Sequence, residues 1–326
     1  MKNAALESPD LVRRRRQHLA APSDLVRRRR QMLARLDGIC PTPEILYSDI
    51  TGVSVYRRES DDVIDCNGGK AMACFVVSGT KENHIGGRKY VYTEGQCFVS
   101  SLCVPAFFHS VGASHEKPFI SVGLQFEPEI IAELTKRDPI PHPDWIPDEL
   151  GFVYRAPEPL ADAFDRLSRL LEHPEDAQVL QPLVSREIHY WILKSPAGKT
   201  IRQLMMPGTR CHAVTEAVQW IRSHYREPVR VDELADRAHM STSAFHRVFK
   251  TVTGLPPLQF VKTLRLYEAQ RLMVRLGWNV SDTAAAVGYE SSPQFIREYK
   301  RLFGEPPMKD VKRLETQDGP GIVRVI

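Results

Sequence analysis

The feature that most constrains this chain is a pattern that occurs twice in its last third. Val231-Asp232-Glu233-Leu234-Ala235-Asp236-Arg237-Ala238 places Val231, Leu234, Ala235 and Ala238 on one helical face. His239-Met240-Ser241 interrupts that helix, and a second follows from Thr242 to Lys250 with Ser241 as its expected N-cap. Phe245, Val248 and Phe249 form its inward face, which leaves Thr242, Ser243, His246, Arg247 and Lys250 pointing outward. The second occurrence runs from a short helix, Ser281 to Val287, through a turn at Gly288. Ser291 then caps a helix that ends before Gly304, with Phe295, Tyr299 and Phe303 inward. Its outward residues are Ser292, Gln294, Arg297, Lys300 and Arg301, and Pro293 falls in the first turn, where a missing N–H is tolerated. A short helix, a tight turn and a second helix with a polar, basic outer face read as a helix-turn-helix.

The spacing of the two units carries its own information. Ser241 and Ser291 are 50 residues apart, and one long helix, Pro257 to Leu276, stopped by Gly277, lies between them. Such a helix spans roughly 30 Å, close to the ~34 Å between successive major grooves on one face of a duplex. One chain therefore suffices to put two helices into adjacent grooves of double-stranded DNA. Arg247 and Arg297 suit bidentate contact with guanine and Gln294 with adenine. Lys250, Lys300 and Arg301 are placed for phosphates, which position without specifying sequence. The competing reading is a helical protein-interaction domain.

At 326 residues the chain predicts about two domains and a short arm. No apolar run approaches the ~20 residues that span a bilayer, and no apolar stretch follows the basic N-terminus as in a secretory signal. No membrane association and a cytoplasmic location are expected. The six cysteines are irregularly spaced, so they read as reduced thiols. No paired Cys/His spacing suggests a metal, and no cofactor is expected. Charge is segregated: residues 1–36 carry +7, residues 37–210 carry −7 and residues 211–326 carry +4.

The basic arm contains a repeat. Asp10-Leu11-Val12-Arg13-Arg14-Arg15-Arg16-Gln17 returns fourteen residues later as Asp24-Leu25-Val26-Arg27-Arg28-Arg29-Arg30-Gln31. The second copy reads as a helix between Ser23 and Gly38, and Val12, Leu19, Val26 and Leu33 recur every seven residues as an apolar stripe. Solvated arginines on a docking helix are favoured over an arm that touches DNA or a second subunit.

The middle shortens to strand-length segments: 71–78, a hairpin turning at Gly86-Gly87, 96–101, 107–111 and 119–126. A small cupin-type barrel is expected, with Phe75, Val77, Phe98, Phe107 and Phe119 lining its interior beside Cys66, Cys74, Cys97 and Cys103. Such an interior suits a small molecule, although small barrels are also packed solid. A metal-dependent cupin enzyme needs more histidines than His84 and His109 supply. A sensor working through cysteine modification is the other alternative. Helical spacing returns at 159–167 and 180–193, a pair that suits either a dimer surface or a cover for the barrel.

Thr253-Gly254-Leu255-Pro256-Pro257-Leu258-Gln259-Phe260, Arg265-Leu266, Val287-Gly288-Tyr289-Glu290-Ser291 and the run from Phe295 to Pro307 resemble the AraC/XylS family of bacterial transcription regulators. The resemblance covers about residues 211–313. One departure is His239, where the first turn of the family carries glycine. Upstream, Gly95-Gln96 and Glu116-Lys117-Pro118-Phe119 resemble the effector domain of an AraC subgroup over about residues 40–195. The repeat-bearing arm at 1–38 is not typical of the family; the resemblance implies an α+β chain with a cupin-like effector domain at 39–205 and a double helix-turn-helix at 211–326. It further implies a bacterial transcription factor, a homodimer, a small-molecule effector and contacts to DNA through Ser243, His246, Arg247, Ser292, Gln294 and Arg297. Effector-pocket candidates are Cys66, Phe75, Val77, Cys97, Phe98, Cys103, Phe107, His109 and Phe119. RNA polymerase is a further candidate partner.

Overall fold

The structure, a computed structural model, describes residues 22–47, 52–61, 64–66, 71–85, 88–102, 106–136, 145–317 and 322–325. The first copy of the arm repeat, with Val12 and Leu19, lies outside the described residues, as does the turn at Gly86-Gly87. The second copy is helix α1 (Pro22–Ile39). Its buried stripe is Met32 and Leu36, with Leu25 and Leu33 half-buried, whereas Val26 is exposed. Of the seven-residue stripe expected through Val26 and Leu33, Leu33 is half-buried and Val26 is exposed; the inward face is centred on Leu25, Met32 and Leu36.

Among the described residues ten strands precede the helix-turn-helix part: β1 (Glu44–Tyr47), β2 (Val53–Arg58), β3 (Ile64–Cys66), β4 (Met72–Ser78), β5 (Thr80–Ile85), β6 (Arg88–Thr93), β7 (Gln96–Ser100), β8 (Ala106–Val111), β9 (Phe119–Gln125) and β10 (Gly151–Arg155). A last strand, β11 (Ile322–Val325), pairs in parallel with β1. Among the described residues they form two sheets, β10-β7-β4-β9-β2-β1-β11 and β3-β8-β5-β6. The α+β class holds, but the strands make a two-sheet sandwich rather than a hydrogen-bonded closed barrel. The expected hairpin is β5–β6, in register from Thr80↔Thr93 to Ile85↔Arg88.

Helices α2 (Pro128–Thr135), α3 (Glu158–Arg169), α4 (Pro174–Leu193) and α5 (Gly198–Met205) accompany the sheets. One face of the seven-stranded sheet is covered by helices: Phe75, Val77, Cys97 and Val99 pack in one core with Met32, Leu36, Phe164, Leu167 and Ile188. Phe75 stacks on Phe164 at 5.8 Å between centroids. The charge segregation finds its explanation here. Arg28 pairs with Glu158 and Asp162, Arg29 with Glu94, and Arg35 with Asp165 and Glu172. The basic arm neutralises part of the acidic middle.

The remaining helices are α6 (Arg210–His224), α7 (Val231–Arg237), α8 (Thr242–Thr253), α9 (Pro257–Leu276), α10 (Val280–Ala286), α11 (Ser292–Phe303) and α12 (Pro307–Gln317). Helix α9 has the bounds its sequence implied, and Gly277 closes it in the left-handed conformation at φ 66°. No described helix is long and apolar enough to cross a membrane. One apolar cluster runs from between the sheets (Tyr56, Phe98, Phe108) through Ile85, Leu102 and Leu150 to Leu204, Val218, Phe249 and Phe260.

Candidate functional site: two reading helices and an inter-sheet cavity

Helix α8 starts where its cap dictates: Ser241 Oγ accepts the Ala244 N–H at 3.3 Å. Phe245, Val248 and Phe249 are fully buried, so the helix has one rotational setting. That setting leaves Thr242, Ser243, His246, Arg247 and Lys250 exposed. Helix α11 is anchored likewise by Phe295 and Tyr299, leaving Gln294, Arg297, Lys300 and Arg301 exposed and Ser292 half-buried. Ser291 occupies its N-cap position without a side-chain cap bond, contrary to the sequence expectation, and Pro293 supplies the first-turn geometry instead. The cap that sequence reading missed is Asn279, whose Oδ1 accepts the Asp282 N–H at 2.9 Å and starts α10 at Val280.

The segment before the first unit is tied to the second by capture of backbone carbonyls. Arg265, on α9, donates to the carbonyls of Tyr225 (2.6 Å), Gly288 (2.8 Å) and Glu227 (2.9 Å). It joins the end of α6 to the second turn. Gln294 is also held: it donates to Glu298, which accepts Lys262 Nζ at 2.7 Å and Tyr289 Oη–H at 2.8 Å. Burial pushes the Glu298 carboxyl up, but the bonds from Lys262, Tyr289 and Gln294 outweigh it and hold it below the usual range. Glu298 was not among the sequence candidates, although its i, i+4 spacing from Gln294 was a readable signal.

A cavity of about 160 Å³ opens between the two sheets. Of the pocket candidates, Phe98 lines it. Phe75, Val77 and Cys97 lie on the opposite, helix-covered face, because successive side chains alternate along a strand: Met72 and Cys74 face the cavity while Ala73, Phe75 and Val77 do not. Phe119 is buried beside it, edge-on to Tyr56 and Tyr92. His109 stands next to Phe108 on β8 and does not line the cavity. The side chains of Cys66, Cys103 and Phe107 lie outside the described residues.

The lining that sequence reading missed comes chiefly from β5. Lys81, Asn83 and Ile85 alternate inward, while Glu82 accepts His84 Nε2–H at 2.6 Å and Lys89 Nζ at 2.6 Å away from the cavity. A second cavity of about 210 Å³, lined by Ile85, Tyr90, Leu150 and by Thr251 and Gly254 at the end of α8, adjoins the first through Ile85. Burial pushes the thiols of Cys74 and Cys211 up to about 11 and that of Cys97 further, which makes them poor nucleophiles. Among the described residues no group of three or more His, Cys, Asp or Glu could hold a metal.

A cavity-bearing sandwich joined to paired, clasped helix-turn-helix units defines a two-part class: a ligand-sized site ahead of a DNA-type reading part. Residues 49–200 match the family described as the AraC-type transcriptional regulator N-terminus, and residues 234–313 match a helix-turn-helix domain. The chain belongs to the AraC-type transcriptional regulators. It is 29% identical over 105 residues to the HTH-type transcriptional activator RhaS of Pectobacterium carotovorum, covering 32% of this chain and 38% of that protein. It is 24% identical over 121 residues to the bifunctional transcriptional activator/DNA repair enzyme AdaA of Bacillus subtilis, covering 34% and 57%. The chain thus spans about half the length of these relatives or less. The fold resembles ToxT from Vibrio cholerae O395 (TM-score 0.52, 11% identity, 80% of this chain and 97% of that one). It resembles equally the unsaturated fatty acid-bound ToxT of strain SCE256 (0.52, 10%, 79% and 94%).

Proposed function

We propose that the chain is a non-enzymatic, cytoplasmic bacterial transcription factor that reads double-stranded DNA with α8 and α11 and changes that reading when a small molecule occupies the inter-sheet cavity. The observation that carries this is the pairing of two equivalent, exposed basic helix faces with a clasp, Arg265, that holds the segment leading into the first unit against the turn of the second. In this reading Arg247 and Arg297 contact guanines, Gln294 contacts adenine, and Lys250, Lys300 and Arg301 contact phosphates. Thr242, Ser243, His246 and Ser292 complete the two surfaces. Effector control requires the ligand to prefer one arrangement of the reading part over another. Ile85 lines both cavities and so touches both the sandwich site and the space beside the end of α8.

The homodimer reading is supported by α4, where Val179, Leu180, Leu183 and Tyr190 form an exposed apolar stripe, Val179 at 70% and Leu183 at 63% exposure. RNA polymerase is the partner through which a DNA-bound regulator would act. The test is selection of a binding site from random duplexes by the full chain, followed by transcription in vitro from a promoter carrying that site. Sequence-independent binding, or transcription unaffected by the protein, contradicts the proposal.

A further inference from the structure

Helices α8 and α11 correspond residue for residue at an offset of 50: Phe245 to Phe295, Arg247 to Arg297, Phe249 to Tyr299, Lys250 to Lys300 and Gly254 to Gly304. One difference between them spans a helical turn. Where α8 has Ala244 and the fully buried Val248, α11 has Gln294 and Glu298. We propose that Glu298 is a positioning residue that fixes the side-chain amide of Gln294 in the orientation that matches adenine and rejects guanine, an inference that rests on the reading of Gln294 as a base contact.

The carboxylate is held from the protein side. Its Oε1 accepts Lys262 Nζ at 2.7 Å, and its Oε2 accepts the Tyr289 hydroxyl at 2.8 Å. Tyr289 is buried and lies edge-on to Phe295, with 5.4 Å between centroids, so the donor is anchored to the core of the second unit. Lys262 reaches across from α9 and balances the charge, which lets a carboxylate stand on a helix that faces phosphates.

Gln294, one turn earlier and exposed, donates Nε2–H to Glu298 Oε1 at 3.3 Å. Rotating a primary amide by 180° exchanges its oxygen for its nitrogen. A carboxylate only accepts, so Glu298 takes Nε2 and never Oε1. The bond therefore selects one of the two flips. It consumes one N–H and leaves Oε1 and the other N–H, an acceptor beside a donor. Adenine presents the complementary pair in the major groove, the N6–H donor and the N7 acceptor. Guanine presents two acceptors, O6 and N7, so the fixed Oε1 would oppose O6 with no proton between them. A free amide escapes that conflict by turning Nε2 toward O6. Ala244 and Val248 carry no polar side-chain atoms, so this discrimination belongs to the second unit.

The test is site selection from random duplexes by the full chain and its variants. The selected site is then titrated in all four versions of the base pair that Gln294→Ala relaxes. Adenine is expected there for the unaltered chain. Glu298→Val, which copies the α8 residue, should cut the preference for adenine over guanine roughly tenfold. Preferences at the other positions and affinity for random duplexes should not fall. In a Gln294→Ala background the same substitution should change that base pair no further. Tyr289→Phe removes one bond to the carboxylate at nearly constant volume; it should lower the same preference in part, and it carries the test if Glu298→Val unfolds. Full preference retained in Glu298→Val, or in Tyr289→Phe should the former unfold, makes Glu298 structural and overturns the inference while the reading of Gln294 stands. Uniform weakening on every sequence does the same. A lost preference for cytosine would make Glu298 itself a base contact and overturn the positioning role. If Gln294→Ala relaxes no base pair, the assignment of Gln294 falls, and the role of Glu298 falls with it.

Discussion

His239 and Gly288 hold the same left-handed position in the two helix-turn-helix turns, at φ 51° and 84°. The surrounding hydrogen bonds repeat as well. His239 N–H reaches the Asp236 carbonyl and Met240 N–H that of Ala235, as Gly288 N–H reaches Ala285 and Tyr289 N–H reaches Ala284. His239 is the sole non-glycine residue with positive φ among the described residues. Its side chain is exposed, so the left-handed backbone is its only penalty, about 1 kcal/mol. A Cβ at Gly288, by contrast, collides with the carbonyl of Arg226. His239→Gly is therefore expected to stabilise the protein by about 0.5–1 kcal/mol with DNA affinity preserved. Gly288→Ala should destabilise it by at least ~2 kcal/mol. Urea unfolding of both variants checks the pair.

The arm is held by charges that are not all solvated. Asp165 is fully buried and accepts Arg35 at 3.0 Å and Arg169 at 2.6 Å. Removing the carboxylate takes from Arg35, itself 12% exposed, its buried counter-charge and leaves it the partly exposed Glu172 and Ser168 Oγ. Asp165→Ala is expected to cost about 3 kcal/mol, and Arg27→Ala, on the exposed side, close to nothing. Denaturant midpoints for the two variants give the comparison, and equal effects would show that α1 is not docked through this pair.

Stability should depend on pH through His189. Its Nδ1–H donates to the Ser185 carbonyl at 2.7 Å, and its Nε2 accepts the Glu127 N–H at 2.9 Å, so the ring is neutral. Burial lowers its pKa, opposed by the Ser185 bond and the Glu127 charge. The unfolded chain therefore takes up the proton first. The associated stability is fully present above the unfolded value near 6.5 and is lost as pH falls from there toward the lowered folded value. Unfolding between pH 7.5 and 5 should show this loss, and His189→Gln should flatten it.

What the sequence disclosed and what it concealed divide along physical lines. In the C-terminal part, helical period, glycine stops and buried aromatics agree, so α8, α9 and α11 and their exposed faces were readable residue by residue. In the sandwich the strands from β4 to β9 were readable, but β1, β2 and β10 were not, because β2 is buried along its whole length and shows no alternation. The cavity was misread for a related reason. Apolar residues occur on both faces of β4 and β7, and nothing local says which parity faces the second sheet. Phe75 and Cys97 were as plausible as Cys74 and Phe98. Lys81 and Asn83 were missed because a charged residue and an amide in a strand read as solvent-facing; only the second sheet makes them interior.

The direct test of the central claim is a hydroxyl-radical footprint of the full chain on a selected site. Two protected tracts one duplex turn apart on one face are expected, with Arg247→Ala erasing one and Arg297→Ala the other. Arg297→Ala should cost about 1–3 kcal/mol on that site and relax one base pair, whereas Arg301→Ala weakens binding to every sequence and lowers the salt slope by about one. A single protected tract, lost equally with either substitution, would contradict the reading of adjacent grooves by α8 and α11.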